Sequence, residues 1–205
     1  MLRRALLLSG LASSVLYVGT DLLGALSYSG YDYAGQAISE MSAVGAPTTR
    51  LLAPFYVAYA LLFTAFGMGL WQSGEGRHLR IPGLLLFGVG LLGLFAWPFF
   101  PMHMRGADRT YSDTMHLALG GVDVLLLASA IGFASGAFGK AFRAYSWATI
   151  AAMLLFGGVT GLYVPRVDAG LPTPFLGVFE RLSLAAYLLW VAVLSVKLVR
   201  SESQP

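Results

Sequence analysis

The sequence contains no cysteine. That removes disulfides, thiolate metal centres, iron–sulfur clusters and cysteine nucleophiles, and it leaves the redox compartment unread. Charge is also scarce: 11% of the 205 residues are Asp, Glu, Lys or Arg, against about 25% in an ordinary soluble domain. The only lysines, Lys140 and Lys197, fall at the ends of apolar runs, so no lysine is placed for a retinal Schiff base in an apolar core. Histidine is limited to His78, His103 and His116. The last two lie on adjacent segments, which is poor material for transmembrane haem ligation. There is no phosphate loop, dinucleotide fingerprint, HExxH helix or nucleophile elbow. No long polar segment is left over for a separate soluble module.

What is present is apolar chain: 57% of residues are hydrophobic. They fall into six runs, about 2–26, 51–72, 81–100, 114–136, 141–164 and 176–199, each near the roughly 20 residues that a 30 Å hydrocarbon core requires. The expected fold is all-α, a polytopic bundle of six transmembrane helices forming a single integral membrane domain over 1–205. The first run follows Arg3 and Arg4 as a signal peptide would, but it exceeds an h-region of about 7–15 residues and reads as a retained helix.

Six spans place both termini on one side. Arg3, Arg4, Arg77, Arg80, Lys140, Arg143, Lys197 and Arg200 lie there, against Arg50, Arg105, Arg109, Arg166 and Arg181 opposite. The positive-inside bias predicts a multi-pass protein of the cell membrane with both termini cytoplasmic. Glu75, Glu202 and His78 on that side read as solvated surface. The net charge of +3 is spread over short loops, a membrane pattern and not a nucleic-acid footprint. The expected surroundings are membrane lipid, with a lipid-like or small-molecule ligand as partner.

The loop from Ser27 to Arg50 carries Tyr28, Tyr31 and Tyr33, residues suited to the headgroup region. Ile38 to Val44 is expected to form a short interfacial helix, with Ile38 and Met41 toward lipid and Glu40 away from it. Gly132 to Gly136 and Gly157 to Gly161 have the small-xxx-small spacing of close helix contacts. The two halves of the chain show no repeat of the kind found in many transporters.

The unusual residues gather on the side opposite the termini. Asp113, His116 and Asp123, at spacings of three and seven, share one face of the fourth helix. Asp113 and His116 are separated by about 4.5 Å along the axis, and Asp123 lies about 10.5 Å further on, near the midplane. An aspartate there costs about 2.5–3.5 kcal/mol against a gain of roughly 0.3–0.6 per leucine, so it must be protonated, paired or wet. Asp21 sits on a similar stripe of the first helix with Ser13, Tyr17 and Gly24. His103, His116 and Asp113 or Glu180 could supply the three protein ligands of a catalytic zinc; alternatively, His116 simply hydrogen-bonds Asp113. Glu180 suits the N-terminal turn of the last helix. Arg105 and Arg181 could hold a phosphate or carboxylate.

The order Ile38-Ser39-Glu40, Gly45-Ala46-Pro47, Phe100-Pro101 with Gly106, His116 at a helix start, and Glu180-Arg181-Leu182 resembles the prokaryotic membrane family called domain of unknown function 998. The resemblance runs from the first loop to the last helix. It implies a multi-helix integral membrane protein and supplies no reaction. The family pattern often has an acidic residue where this chain has His103. Several functional expectations stay open. One is an enzyme acting on a lipid or lipid-linked substrate, with His116 and Asp113 as acid/base or metal pair and Glu40, Arg105, Glu180 and Arg181 holding substrate. Another is a small transporter or ligand-binding protein with Asp21 and Asp123 lining a polar path. The last is a scaffold whose polar residues fix helix packing.

Overall fold

In a computed structural model, which describes residues 1–74, 76–95 and 97–201, the apolar runs form long helices because lipid leaves their backbone groups no other partner. In chain order they are α1 (Leu2–Ser27), α2 (Thr49–Gln72), α3 (Arg77–Phe95), α4 (Tyr111–Ala134), α5 (Gly139–Leu162), the short α6 (Val164–Asp168) and α7 (Leu176–Ser201). The six long ones can each cross a bilayer by length and composition. Glu75 and Glu202 lie outside the described residues.

Local chemistry sets the helix ends. Pro82 is only the sixth residue of α3, where its missing N–H forfeits a single bond near the helix start. α3 therefore begins at Arg77, before the expected Ile81. Pro98 and Pro101 keep the chain beyond Phe95 from continuing the helix. α4 starts at Tyr111 because Thr110 and Asp113 cap each other's backbone N–H groups in a capping box.

Each helix packs on its neighbour in sequence, and α7 returns to α1, closing a ring in the order α1, α2, α3, α4, α5, α7. The α2–α3 seam is the most extensive and the α4–α5 seam the thinnest of the six. Glycine explains the first. A Cβ at Gly67 would strike the backbone of Phe87, one at Gly83 the backbone of Trp71, and one at Gly90 the backbone of Thr64, so these positions let two helix backbones meet directly. The expected glycine pairs meet side chains and not backbone: a Cβ at Gly136 would strike the ring of His78 and one at Gly157 would press on the Ser183 hydroxyl, while Gly132 would meet only the tip of Ile150 and Gly161 nothing within 4 Å.

The half of the bundle nearer the termini is a solid apolar plug. Leu7, Phe63, Phe66, Leu70, Leu86, Ile131, Trp190 and Leu194 are all fully buried. Short polar ties cross it: the indole N–H of Trp190 donates to Ser146 Oγ at 2.9 Å, Ser195 Oγ donates to the Leu7 carbonyl at 2.6 Å, and Ser14 Oγ to the Leu188 carbonyl at 2.9 Å.

The opposite end is closed by a cap of three loops, 28–48, 97–110 and 163–175. The amide of Val44 donates to the Met102 carbonyl at 2.7 Å and that of Gly106 to the Val167 carbonyl at 3.0 Å. A short 3-10 helix, Ile38–Ser42, forms within the expected Ile38–Val44 segment, and its burial corrects the side expected to face lipid. Ile38 and Met41 do not face lipid. They are buried with Leu52 against Tyr17, Tyr28, Tyr31, Tyr56 and Leu184, because the turn is drawn down into the mouth of the ring.

Candidate functional site

Two of the ion pairs that fasten the cap are built on arginine forks. The carboxylate of Glu40, fully buried, receives both faces of a guanidinium fork: Arg105 Nε donates to Oε2 at 2.9 Å and Nη2 to Oε1 at 2.7 Å. Gln36 Nε2 and the amide of Ala37 add donors at 3.1 and 2.8 Å. Burial alone would raise the pKa of this carboxyl, but the hydrogen bonds from Arg105, Gln36 and Ala37 outweigh it and hold the group below its ordinary value. The rest of Arg105 reaches Thr173 Oγ1 at 3.0 Å and the carbonyls of Leu171 and Gly35, each at 3.4 Å. Beside it lies an open recess of about 480 Å³ lined by Asp32, Gln36, Arg105 and the 172–174 turn.

The second pair joins α1 to α7. Arg181 Nε and Nη2 donate to Asp21 Oδ2 and Oδ1 at 3.0 and 2.8 Å, and Tyr33 donates its hydroxyl to Oδ2 at 2.6 Å. The guanidinium lies 3.6 Å from the centre of the Tyr33 ring, a stacked cation–π contact. It also donates to the Tyr33 carbonyl, the Gly177 carbonyl and the Tyr31 hydroxyl at 2.8, 3.2 and 3.0 Å. Burial raises the pKa of Tyr31, and burial followed by the bond to Asp21 raises that of Tyr33, so both phenols remain neutral donors. A guanidinium has five N–H donors. Arg105 and Arg181 each place all five on protein acceptors, so the headgroup-holding role expected for them, and for Glu40, meets side chains already committed to the cap.

The metal expectation changes in detail. Asp113 does not join His116. Its Oδ1 takes the amide of His103 at 2.7 Å, and its Oδ2 lies 3.0 Å from His103 Nδ1 while also taking the Thr110 amide and hydroxyl at 2.8 and 2.7 Å. His116 turns the other way: its Nδ1 lies 2.9 Å from the Phe100 carbonyl, and its ring stands 4.6 Å from that of Trp97. A carbonyl only accepts, so Nδ1 carries the proton and Nε2 is the acceptor. Among the described residues no group of three or more His, Asp or Glu could hold a metal ion. The set of His103, His116 and Asp113 is split by the capping role of Asp113.

Beneath the cap lies a cluster of polar side chains that sequence reading reached only in part. Glu180 accepts the amide of Ile38 at 2.6 Å through Oε2. Tyr17 packs edge-on against Tyr59 with centroids 4.9 Å apart, and the Tyr59 and Tyr187 hydroxyls are 3.1 Å apart. Tyr17 is within electrostatic range of Glu180, and Tyr59 and Tyr187 are within range of Asp123. Tyr17, Tyr59 and Glu180 are half-buried, and Tyr187 is buried. Asp123 Oδ1 is buried and no protein group among the described residues donates to it. Asp21, the polar residue marked on the first helix, is held by Arg181 at the cap. Tyr59 and Tyr187 were not singled out above, although a signal existed: they lie mid-helix, far from the interfaces where membrane tyrosines usually sit.

The α4–α5 seam is the thinnest of the ring. The buried residues of α4 are Leu127, Ala130, Ile131 and Ala134, all in its half nearer the termini, and those of α5 run from Phe142 to Met153. Beyond them, Phe156 of α5 stacks on Phe179 of α7 at 6.2 Å.

A closed ring of six long apolar helices with polar groups turned inward defines a multi-pass integral membrane protein. Residues 11–197 match the profile of the family described as "Protein of unknown function (DUF998)", and the chain belongs to that family. Neither the curated proteins nor the solved structures give a match to it.

Proposed function

We propose that this protein is a membrane-embedded binding protein that takes a lipid-like or small-molecule ligand into a polar chamber in its cap half, entered from the bilayer at the thin α4–α5 seam. We further propose that it resides in the cell membrane with the cap extracytoplasmic and both termini cytoplasmic, on the strength of the eight-to-five distribution of basic residues. The carrying observation is the cluster of Glu180, Tyr17, Tyr59 and Tyr187, with Asp123 in electrostatic range of the last two, above an apolar plug. Ionisable groups at such depth normally face a wet or ligand-holding interior. The fully buried Phe63, Phe66, Ile131, Trp190 and Leu194 in the half nearer the termini favour a blind site over a transport path.

The test is mass spectrometry of small molecules and lipids that co-purify with wild-type protein and with Asp123→Asn. A species retained by the wild type and lost from the folded variant supports the chamber. Identical cargo in both would overturn it and leave a packing scaffold as the reading.

One observation favours catalysis as a second reading. His116, held through Nδ1, keeps Nε2 as a proton acceptor on the same helix face as Asp123, about 10.5 Å higher. If the site is an enzyme, wild-type protein converts a bound lipid and His116→Ala binds it without converting it. Equal conversion by both would remove His116 from the chemistry.

A further inference from the structure

We infer that the outer surface of the α2–α3 seam binds one anionic phospholipid of the leaflet on the side of the termini, with its phosphate at Arg77 and Arg80 and an acyl chain in the crease beside them. This site is separate from the chamber, in the opposite half of the bundle and on its lipid-facing surface. The crease follows from the close backbone contact. Gly67 and Gly83 bring no side chain to fill the seam, and α2 contributes Met68 and Trp71, α3 Leu84 and Phe87, to a hollow of about 120 Å³ lined by these six residues. Every side chain in that lining is apolar. Leu84 is 57% and Trp71 39% exposed, so the hollow opens on the outer face of the ring.

Charge decides which lipid. Trp71 is the penultimate residue of α2 and Arg80 the fourth of α3, so both stand at the water-facing end of the crease, while Phe87 lies about 10.5 Å deeper along α3. The Arg80 guanidinium is 5.8 Å from the centre of the Trp71 ring, which puts a cation at the mouth of the hollow. Arg77, three residues earlier, shares its helix face, and both arginines are exposed. Among the described residues neither has a carboxylate partner: the paired arginines are Arg105, Arg109 and Arg181. The segment 73–80 sets Arg77 and Arg80 against Glu75 alone, so a positive excess remains there in any arrangement of its side chains. Basic residues at a membrane surface attract anionic lipid, and a guanidinium grips phosphate through paired N–H donors. A phosphatidylglycerol head brings one negative charge and no cation, whereas a zwitterionic head adds an ammonium group that the two arginines repel. A free phosphate would satisfy the arginines but could not use the packing contacts that the crease offers a chain.

The experiment is native mass spectrometry of full-length, delipidated protein in a mild detergent, titrated separately with phosphatidylglycerol and phosphatidylcholine of the same acyl chains and with glycerol 3-phosphate. The first phosphatidylglycerol adduct is expected to form at least about tenfold more tightly than the first phosphatidylcholine adduct, and glycerol 3-phosphate to give none at the same concentrations. Arg77→Gln combined with Arg80→Gln should bring the two lipids within about twofold of each other. Arg143→Gln, on the same side of the membrane but on α5, should leave the preference intact. Leu84→Trp, which fills the crease from its exposed edge without touching the glycine seam, should weaken phosphatidylglycerol by about fivefold or more. All four substituted side chains are exposed, so the variants are expected to fold, and an unchanged melting temperature checks it. Equal affinity for the two lipids in the wild type, a preference that survives the double arginine substitution, or one that Arg143→Gln removes as fully, would overturn the site. Phosphatidylglycerol binding untouched by Leu84→Trp, or matched by glycerol 3-phosphate, would overturn the crease as the seat of a chain.

Discussion

Glu40 and Arg105 show how a residue that reads as functional can be structural. Glu40 is fully buried and Arg105 keeps 23% of its side-chain exposure, so Glu40→Ala strands a guanidinium that can only partly reach water. Removing one member of a buried pair costs about 3–5 kcal/mol, and a value near the lower end is expected, read as a lower melting temperature in detergent. Arg105→Lys should recover little, because an ammonium cannot span Glu40, Thr173 and two carbonyls at once. The same pair predicts acid sensitivity. The folded-state pKa of Glu40 lies below its ordinary value of 4.5, so its stabilisation is complete above that value and is lost as pH falls below it toward the folded pKa. Melting curves between neutral pH and about pH 3 should show the loss, and Glu40→Gln should flatten it. Asp123 is expected to behave oppositely. Since it lacks a protein donor, Asp123→Leu should raise thermal stability and abolish ligand retention together; a less stable variant would show that the aspartate has a structural partner.

At the scale of elements, the seams of the ring differ for a reason that glycine decides. Gly67 and Gly83 sit where a Cβ would strike the facing backbone, whereas Gly88 on the same helix α3 has nothing within 4 Å. Gly83→Ala is therefore expected to cost about 1–3 kcal/mol through overpacking. Gly88→Ala should be neutral or stabilising by up to about 1 kcal/mol, through reduced backbone entropy. Thermal aggregation of the two variants side by side would check the contrast. Much at this scale was legible in the sequence: six spans of about 20 residues follow from composition alone, and the start of α4 follows from Thr110 and Asp113. The close α2–α3 contact was not, because Gly67 and Gly83 gain meaning only from the backbone opposite them. Nor was the burial of Ile38 and Met41. An amphipathic turn has an apolar face whether that face meets lipid or protein, and only docking decides between them.

For the whole molecule, the testable quantity is orientation. With no native cysteine, single substitutions such as Lys140→Cys and Arg109→Cys can be probed in intact cells with a membrane-impermeant maleimide. Labelling of position 109 and protection of position 140 is the expected outcome; the reverse pattern would invert the proposed topology. The sequence by itself determined that this chain spans a membrane with six helices, since length and hydrophobicity are local properties that the bilayer reads segment by segment. It also marked Asp21, Glu40, Asp113, His116, Asp123, Glu180 and Arg181 as residues needing an explanation. Which of them pair, and which stay unmatched, only the tertiary structure decided. Pairing depends on side chains brought together from across the chain, as Asp21 meets Arg181 and Glu40 meets Arg105, and no helical periodicity encodes those distances. That matching leaves Asp123 with a buried oxygen that no protein group among the described residues meets.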